Sequence, residues 1–265
     1  VRGRLEEDVA LGYSSAGVVV EVGKHVTGFR PGQRVACAGQ GYASHAEYVS
    51  VPVNLCVAVP ESVALEHAAY VALGAIAMQG VRQTGAGLSD CVAVIGLGLV
   101  GQIALRLLVA AGCVVLACDT DPARRARALR AGARLAAPPD ELEAAVALTT
   151  EGYGADSVLI AASSSGSEPV ELAGTIARQR GRVVVVGDVG MQIPRELYYA
   201  KELELRMSTS YGPGRYDVRY EEQGLDYPYG YVRWTENRNM SAFIDLLAQA
   251  RVDVGELSTH YFPVD

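Results

Sequence analysis

VAVIGLGLVGQIALRLLVAAGCVVLACDTDP, residues Val92 to Pro122, is the stretch that decides the fold. It opens with an apolar run, Val92 to Ile95, of the kind a strand buried on both faces needs. Gly96-Leu97-Gly98-Leu99-Val100-Gly101 follows, a G-x-G-x-x-G. From Val100 the apolar residues Ile103, Ala104, Leu107, Leu108 and Ala111 recur at helical spacing, and Gly112 ends the pattern. A second buried run, Val114 to Cys118, finishes on Asp119. Each glycine suits a dinucleotide. Gly96 allows a tight turn, Gly98 allows close approach to a pyrophosphate at the helix N-terminus, and Gly101 allows close helix–strand packing.

The acid that such a site needs for the ribose lies 18 residues beyond the last glycine, at Asp119. Asp121 competes for that role, but Asp-Pro is how a helix starts, with Asp121 as cap and Pro122 in the first turn. Two carboxylates close together would repel a 2′-phosphate, so the expected cofactor is NAD. Arg124, Arg125 and Arg127 lie just downstream and could offset a phosphate, or form a solvated helix face. The expected cofactor contacts are Gly96, Gly98, Leu99, Val100, Gly101, Asp119, Thr120 and Arg124, with Ser163, Gly187 and Asp188 at later strand ends.

Outward from this centre, buried runs at Asp156–Ala162, Gly181–Gly187 and Leu203–Ser210 alternate with helical patterns at Asp140–Thr149 and Glu168–Arg178. That order gives a doubly wound parallel α/β sheet, with ligand at the C-terminal strand edges. Ahead of it, Ser15–Val22, Gly32–Ala36, Gly41–Val51 and Leu55–Val59 read as strands of a small β unit, followed by a helical pattern from Leu65 to Val81. Tyr211–Trp234 holds six of the fourteen tyrosines and the sole tryptophan, broken by Gly-Pro-Gly and Tyr-Pro-Tyr-Gly. A long aromatic loop is a candidate substrate site or lid, or an oligomer contact. A helix from Met240 to Ala250 and a strand near Thr259–Val264 close the chain.

Among 265 residues, half are hydrophobic and a fifth charged, with a formal net charge of −7. These values fit a globular protein that does not bind nucleic acid. Cysteines at 37, 56, 91, 113 and 118 form no C-x-x-C, and buried thiols in a reducing, cytoplasmic compartment are expected. Gln102 and Arg106 interrupt the longest apolar region, which excludes a membrane span there. The chain starts at Val1, without a methionine, and runs at once into a strand pattern. An N-terminal portion is therefore expected to be missing.

The order of elements, with Gly17–Val35 (GVVVEVGKHVTGFRPGQRV), Ala46–Val49 and the glycine loop, resembles the medium-chain dehydrogenase/reductase superfamily. LGYSSAG, ACAGQGYASHAEY, LGAIAMQG, SYGPGRYD and DYPYGYVRWTENRNM resemble its zinc-type alcohol dehydrogenase-like subgroup, often fused to a sugar-oxidoreductase-like second half. The resemblance implies a Rossmann domain over 73–210, a truncated GroES-like β domain over 1–72 and 235–265, and an aromatic loop or lid over 211–234. It also implies a homodimer, paired through the edge strand near Leu203–Ser210. Zinc members carry Gly-His-Glu where this chain has Gly12-Tyr13-Ser14, and a later Cys or acid ligand falls near Leu73-Gly74. The four-cysteine lobe has no counterpart, so no zinc is expected.

Tyr13, in the place of a zinc ligand, is then a candidate proton donor, with His45, Lys201 and Tyr216 as further catalytic candidates. Arg195, Arg215, Tyr220 and Trp234 are candidate substrate residues. The expected activity is zinc-independent hydride transfer between NAD(H) and a secondary alcohol or ketone of a small sugar, nucleotide sugar or cyclitol. The alternatives are an NADPH-dependent quinone or enone reductase, an epimerase or lyase using transient oxidation, and an inactive cofactor-binding partner protein.

Overall fold

The computed structural model describes residues 10–263, and its strands form two separate sheets. The smaller is antiparallel, in the order β1 (Ser14–Val18), β2 (Arg34–Ala38), β3 (Cys56–Ala58). The larger has six strands, all parallel: β4 (Cys91–Ile95), β5 (Val114–Cys118), β6 (Leu135–Ala137), β7 (Ala155–Ile160), β8 (Ala177–Val185) and β9 (Glu204–Met207). Their spatial order is β6-β5-β4-β7-β8-β9. The chain winds outward from β4 to β6, returns to the centre at β7, and winds the other way to β9. The reversal lies between β4 and β7, where open α/β sheets place their ligand crevice.

Two compact units result. Among the described residues, one comprises those up to Ala75 together with those from Tyr211 onward, and the other is Ile76–Ser210. Residues 211–234 thus belong to the unit that holds the small sheet. Helix α1 (Leu65–Ala68) is a single turn, and α2 (Val71–Thr84) follows it. In the larger sheet α3 (Leu99–Ala110), α4 (Pro122–Arg130), α5 (Pro139–Thr149) and α6 (Glu168–Ile176) follow β4, β5, β6 and β7. Val92, Ala93, Val94, Leu116, Val158, Leu159, Ile160, Val183 and Val184 are wholly buried, as central parallel strands require. Asp121 caps α4 as its sequence predicts, its Oδ1 accepting from the Ala123 N–H at 2.7 Å with Pro122 in the first turn.

Some elements differ from expectation. Gly41–Val51 is a loop, not a strand. Its backbone groups are spent locally, with the Tyr42 and Ala43 N–H groups on the Gly39 carbonyl and the His45 N–H on the Leu11 carbonyl, and no strand among the described residues pairs with it. Strand β1 ends at Val18, four residues short of the Val22 expected. Residues 259–263 form no strand, and Val264 lies outside the described residues. β6, only three residues of LAA, and α7 (Arg195–Ala200) escape a reading by periodicity because each is shorter than a useful window. The aromatic segment carries one four-residue helix, α8 (Val218–Glu221), and leads into α9 (Glu236–Ala248). No helix among the described residues is long and apolar enough to cross a membrane.

Candidate active site

The glycine loop follows β4 at the reversal point, and each glycine meets a different physical demand. Gly96 has φ +92°, and a Cβ there would fall 2.5 Å from the Ala162 backbone nitrogen, just beyond β7. At Gly101 a Cβ would lie 1.9 Å from the Gly96 carbonyl oxygen, so only glycine lets α3 start this close to the sheet. Gly98 is the contrast, because a Cβ there would meet nothing within 4 Å. That open space adjoins the N-terminus of α3, which no side chain caps and where Leu99 is exposed. Unsatisfied first-turn N–H groups, the positive end of a helix and room for close approach together make an anion cradle. The residues present fit the pyrophosphate of a dinucleotide.

Asp119 stands beside this loop at the end of β5 and is buried. Its Oδ2 accepts from the Leu97 N–H at 2.7 Å and its Oδ1 from the Asp121 N–H at 2.8 Å. A carboxylate has about four acceptor positions, so two remain for hydroxyls. The half-exposed Arg124 guanidinium lies 3.6 Å from Asp119 and 3.6 Å from Asp121. Thr120 is exposed between them, its carbonyl accepting from Arg125. Ser163, Gly187 and Asp188 gather at the same sheet edge. The Gly187 N–H donates to the Ile160 carbonyl, a Cβ on Gly187 would strike the Ala162 carbonyl at 1.9 Å, and the Ser164 N–H bonds the Asp188 carbonyl.

Two further candidates of this unit have other occupations. The Lys201 Nζ donates to the carbonyls of Gly174 (3.0 Å), Thr175 (2.7 Å) and Ala177 (2.8 Å), satisfying the C-terminal end of α6. All three ammonium protons are used in these bonds, so in this structure Lys201, a catalytic candidate by sequence, caps the end of α6. Burial lowers its pKa from the ordinary lysine value. Arg195 is exposed and lies 5.0 Å from the Tyr199 ring centre, beside an open surface depression lined by Ile193, Tyr198 and Leu203.

In the other unit Tyr13 and His45 are brought near each other by backbone pairing. The His45 N–H donates to the Leu11 carbonyl at 2.7 Å, and the imidazole lies against Gly12, where a Cβ would fall 2.2 Å from the ring. Tyr13 and His45 are both exposed. Ser14, next in the chain, is committed. Its Oγ donates to the Ala69 carbonyl at 2.6 Å and accepts from the Ala72 N–H at 3.1 Å. Gly74, where the resemblance expects a ligand, lies flat against Phe243, with space for a Cβ only 2.3 Å from the ring. Among the described residues no three His, Cys, Asp or Glu side chains converge as metal ligands do.

The aromatic segment folds around a buried charge cluster. The Arg215 guanidinium sits 4.1 Å from the Tyr216 ring centre and 5.1 Å from that of Tyr211, and its Nη1 donates to Glu221 at 2.5 Å. Glu222 accepts from the Tyr42 hydroxyl at 3.1 Å. The two consecutive acids among the rings therefore have separate partners. Tyr220, a candidate substrate residue by sequence, is buried, stacks on Tyr227 at 5.3 Å, and gives its hydroxyl to the Thr235 Oγ1 at 2.8 Å. Tyr216 is exposed, with φ +69°. The Trp234 ring carries the Arg233 guanidinium at 3.7 Å.

The residue that sequence reasoning missed is Glu236. Located at the start of α9, it is fully buried, and neither carboxyl oxygen has a hydrogen-bond partner. Burial, reinforced by the Glu221 carboxylate and opposed by Arg215, pushes it up to about 8. Its only signal in the sequence was a charged residue following Trp-Thr at a helix start, which ordinarily faces water. Tyr211 belongs to the same cluster, and burial raises its phenol above the ordinary tyrosine value.

Comparison with known proteins gives this geometry a lineage. Residues 2–61 match the family described as alcohol dehydrogenase GroES-like domain, and residues 100–223 match that described as zinc-binding dehydrogenase. The chain belongs to the medium-chain dehydrogenase/reductase superfamily. Among curated relatives it is similar to a probable D-xylulose reductase A of Emericella nidulans, 27% identical over an alignment of 251 positions that covers 81% of this chain and 69% of the relative. Among solved structures it is similar to zinc dependent alcohol dehydrogenase 2 from Streptococcus pneumonia, with TM-score 0.79 and 20% identity over 99% of this chain and 77% of the other. Galactitol-1-phosphate dehydrogenase from Escherichia coli aligns with TM-score 0.77 and 19% identity, over 96% and 78% of the two chains. These structural likenesses show the fold, a parallel Rossmann-like sheet together with a small antiparallel GroES-like one.

Proposed function

We propose that this superfamily member is an NAD-dependent oxidoreductase acting on a secondary alcohol or ketone of a polyol or sugar-like molecule, without zinc. The observation that carries the reading is the pairing of an uncapped α3 N-terminus, open above Gly98, with a buried carboxylate at the end of β5. When bound, the nicotinamide accepts or donates hydride at C4. The chain's own residues then hold and orient it: the α3 N–H groups take the pyrophosphate, and the free acceptor positions of Asp119 take ribose hydroxyls. The Asp119 and Asp121 carboxylates disfavour an added 2′-phosphate, which supports NAD over NADP. The D-xylulose reductase and galactitol-1-phosphate dehydrogenase relatives support a polyol substrate.

Zinc independence is supported by the donor set around Tyr13. A phenol, one imidazole and a Ser14 hydroxyl already in two hydrogen bonds are too few for a zinc site. Proton transfer then falls to side chains, with Tyr13 and His45 the candidates. The edge strand β9 supports a homodimer.

Calorimetric titration of metal-analysed protein with NAD, NADH and NADPH, followed by a polyol panel with and without chelator, tests the proposal. Tighter binding of NAD(H) and chelator-insensitive polyol oxidation are expected. A preference for NADPH with enone reduction would favour the quinone-reductase alternative. Absence of dinucleotide binding would refute the reading.

A further inference from the structure

Cys37 and Cys56 face each other directly across the antiparallel β2–β3 pair. The Val59 N–H donates to the Arg34 carbonyl at 2.9 Å, which makes Arg34/Val59 a hydrogen-bonded pair. Antiparallel pairs alternate, so Ala36/Val57 is again hydrogen-bonded, and Val35/Ala58 and Cys37/Cys56 are not. At a non-hydrogen-bonded position the Cα atoms stand about 4.5 Å apart, within the span that a disulfide bridges. The sulfurs already lie 3.5 Å apart, with one thiol donating to the other.

Both thiols line a cavity of about 560 Å³ beside β1, walled also by Val18, Val20, Phe29 and Tyr48. Cys37 is 5% exposed and Cys56 half-buried, so a small oxidant reaches Cys56 more readily. The pair is also chemically asymmetric. A Cys37 thiolate is stabilised by the Cys56 S–H, which lowers Cys37 and raises Cys56. Cys91 and Cys118, by contrast, are raised by burial, to about 11 and about 12. Cys113, also raised by burial, donates to the Gly87 carbonyl. None of those three lies opposite another cysteine in the strand registers.

We infer that Cys37 and Cys56 form an oxidisable dithiol, a modification site that closes to a cross-strand disulfide when the chain meets a low-molecular-weight disulfide such as oxidised glutathione. One thiolate attacks the oxidant's S–S bond, releasing one glutathione thiolate and leaving a mixed disulfide. The second cysteine, as thiolate, attacks the protein-bound sulfur and expels the other glutathione. Two thiol protons and two electrons leave the protein, one S–S bond forms, and the oxidant becomes two thiols. The ring so closed contains the whole 39–55 loop, including His45 and, of the cavity wall, Ala46 to Val51 and Val53. The carbonyls of Asn54 and Cys56 also hold the Asn237 amide, at 2.9 Å each, so the cross-link is anchored to α9.

The test treats the full chain with oxidised glutathione at mildly alkaline pH and reads intact mass, a non-reduced peptide map and the melting temperature. A mass lower by two hydrogens, a single linked peptide pair joining Cys37 to Cys56, and a Tm higher by several degrees that a reductant reverses are expected. C37S and C56S should each lose the linked peptide and stop at a single glutathione adduct or none. Because a serine variant can fail by misfolding, an aryl arsenical that needs two neighbouring sulfurs provides a second reading. It should bind the unaltered protein in equimolar amount and protect Cys37 and Cys56 from alkylation. Earlier oxidation of Cys91, Cys113 or Cys118, a stable glutathione adduct on Cys56 in the unaltered chain, or no arsenical binding would each overturn the inference.

Discussion

Replacing Glu236 with glutamine should make the protein more stable, and the gain should grow with pH. In the unfolded chain a glutamate ionises with a pKa of about 4.3. In the fold Glu236 is fully buried, both its oxygens lack partners, and its pKa is raised to about 8, chiefly by burial. The native state therefore holds a proton that the unfolded state releases, and stability falls as pH rises from about 4.5 towards 8, then levels off. At about 1.4 kcal/mol per pKa unit the full fall is ~5 kcal/mol, of which ~1 kcal/mol is incurred by pH 5 and ~3.6 kcal/mol by pH 7. The glutamine side chain has nearly the same volume, stays neutral at every pH and leaves the packing around Arg215 unchanged. Urea unfolding at half-unit steps from pH 5 to 8.5, followed by the fluorescence of the only tryptophan, Trp234, and by far-UV circular dichroism, measures the difference. E236Q should lead by only ~1 kcal/mol at pH 5 and by ~3.6 kcal/mol at pH 7. A constant difference across the range would refute the assignment of a buried proton to Glu236.

G98A should fold with an unchanged Tm and yet bind NADH about ten-fold or more weakly, because its methyl group enters only the space reserved for the pyrophosphate. G101A should lose stability by ~2 kcal/mol or more, since its Cβ collides with the Gly96 carbonyl. Thermal melts and calorimetric titration separate the two, and an equal effect of both on Tm would contradict the proposed division of labour. D119A should weaken NADH binding by about ten- to a hundred-fold in titration, through loss of the hydroxyl acceptor and of the tether to the Leu97 N–H; unchanged affinity would exclude Asp119 from the cofactor site. K201M should cost ~1–3 kcal/mol in urea unfolding, with three carbonyls left at the end of α6, while NADH affinity stays the same. A large loss of turnover in K201M at unchanged stability would instead restore a catalytic lysine.

The central parallel sheet was legible because its signals are local. A four- or five-residue apolar run, a glycine whose turn needs positive φ, and an Asp-Pro helix start act within a few residues of themselves, and the chain from Val92 to Pro122 contains all three. The small sheet was legible only in part. Whether Gly41–Val51 forms a strand depends on a neighbour to pair with, and its alternation carries no information about that neighbour.

What the sequence by itself determined is the arrangement that places Gly98 and Asp119 side by side at one sheet edge, since topology and spacing suffice for it. Tertiary structure alone decided the state of the polar side chains. Lys201 became a helix cap because α6 ends beside it, and Tyr220 was buried because Thr235 accepts its hydroxyl. Glu236 lost water to the fold around Arg215, and Cys37 met Cys56 because the β2–β3 register sets them opposite each other. A side chain's charge and reactivity depend on partners distant in sequence, and local periodicity does not report on them.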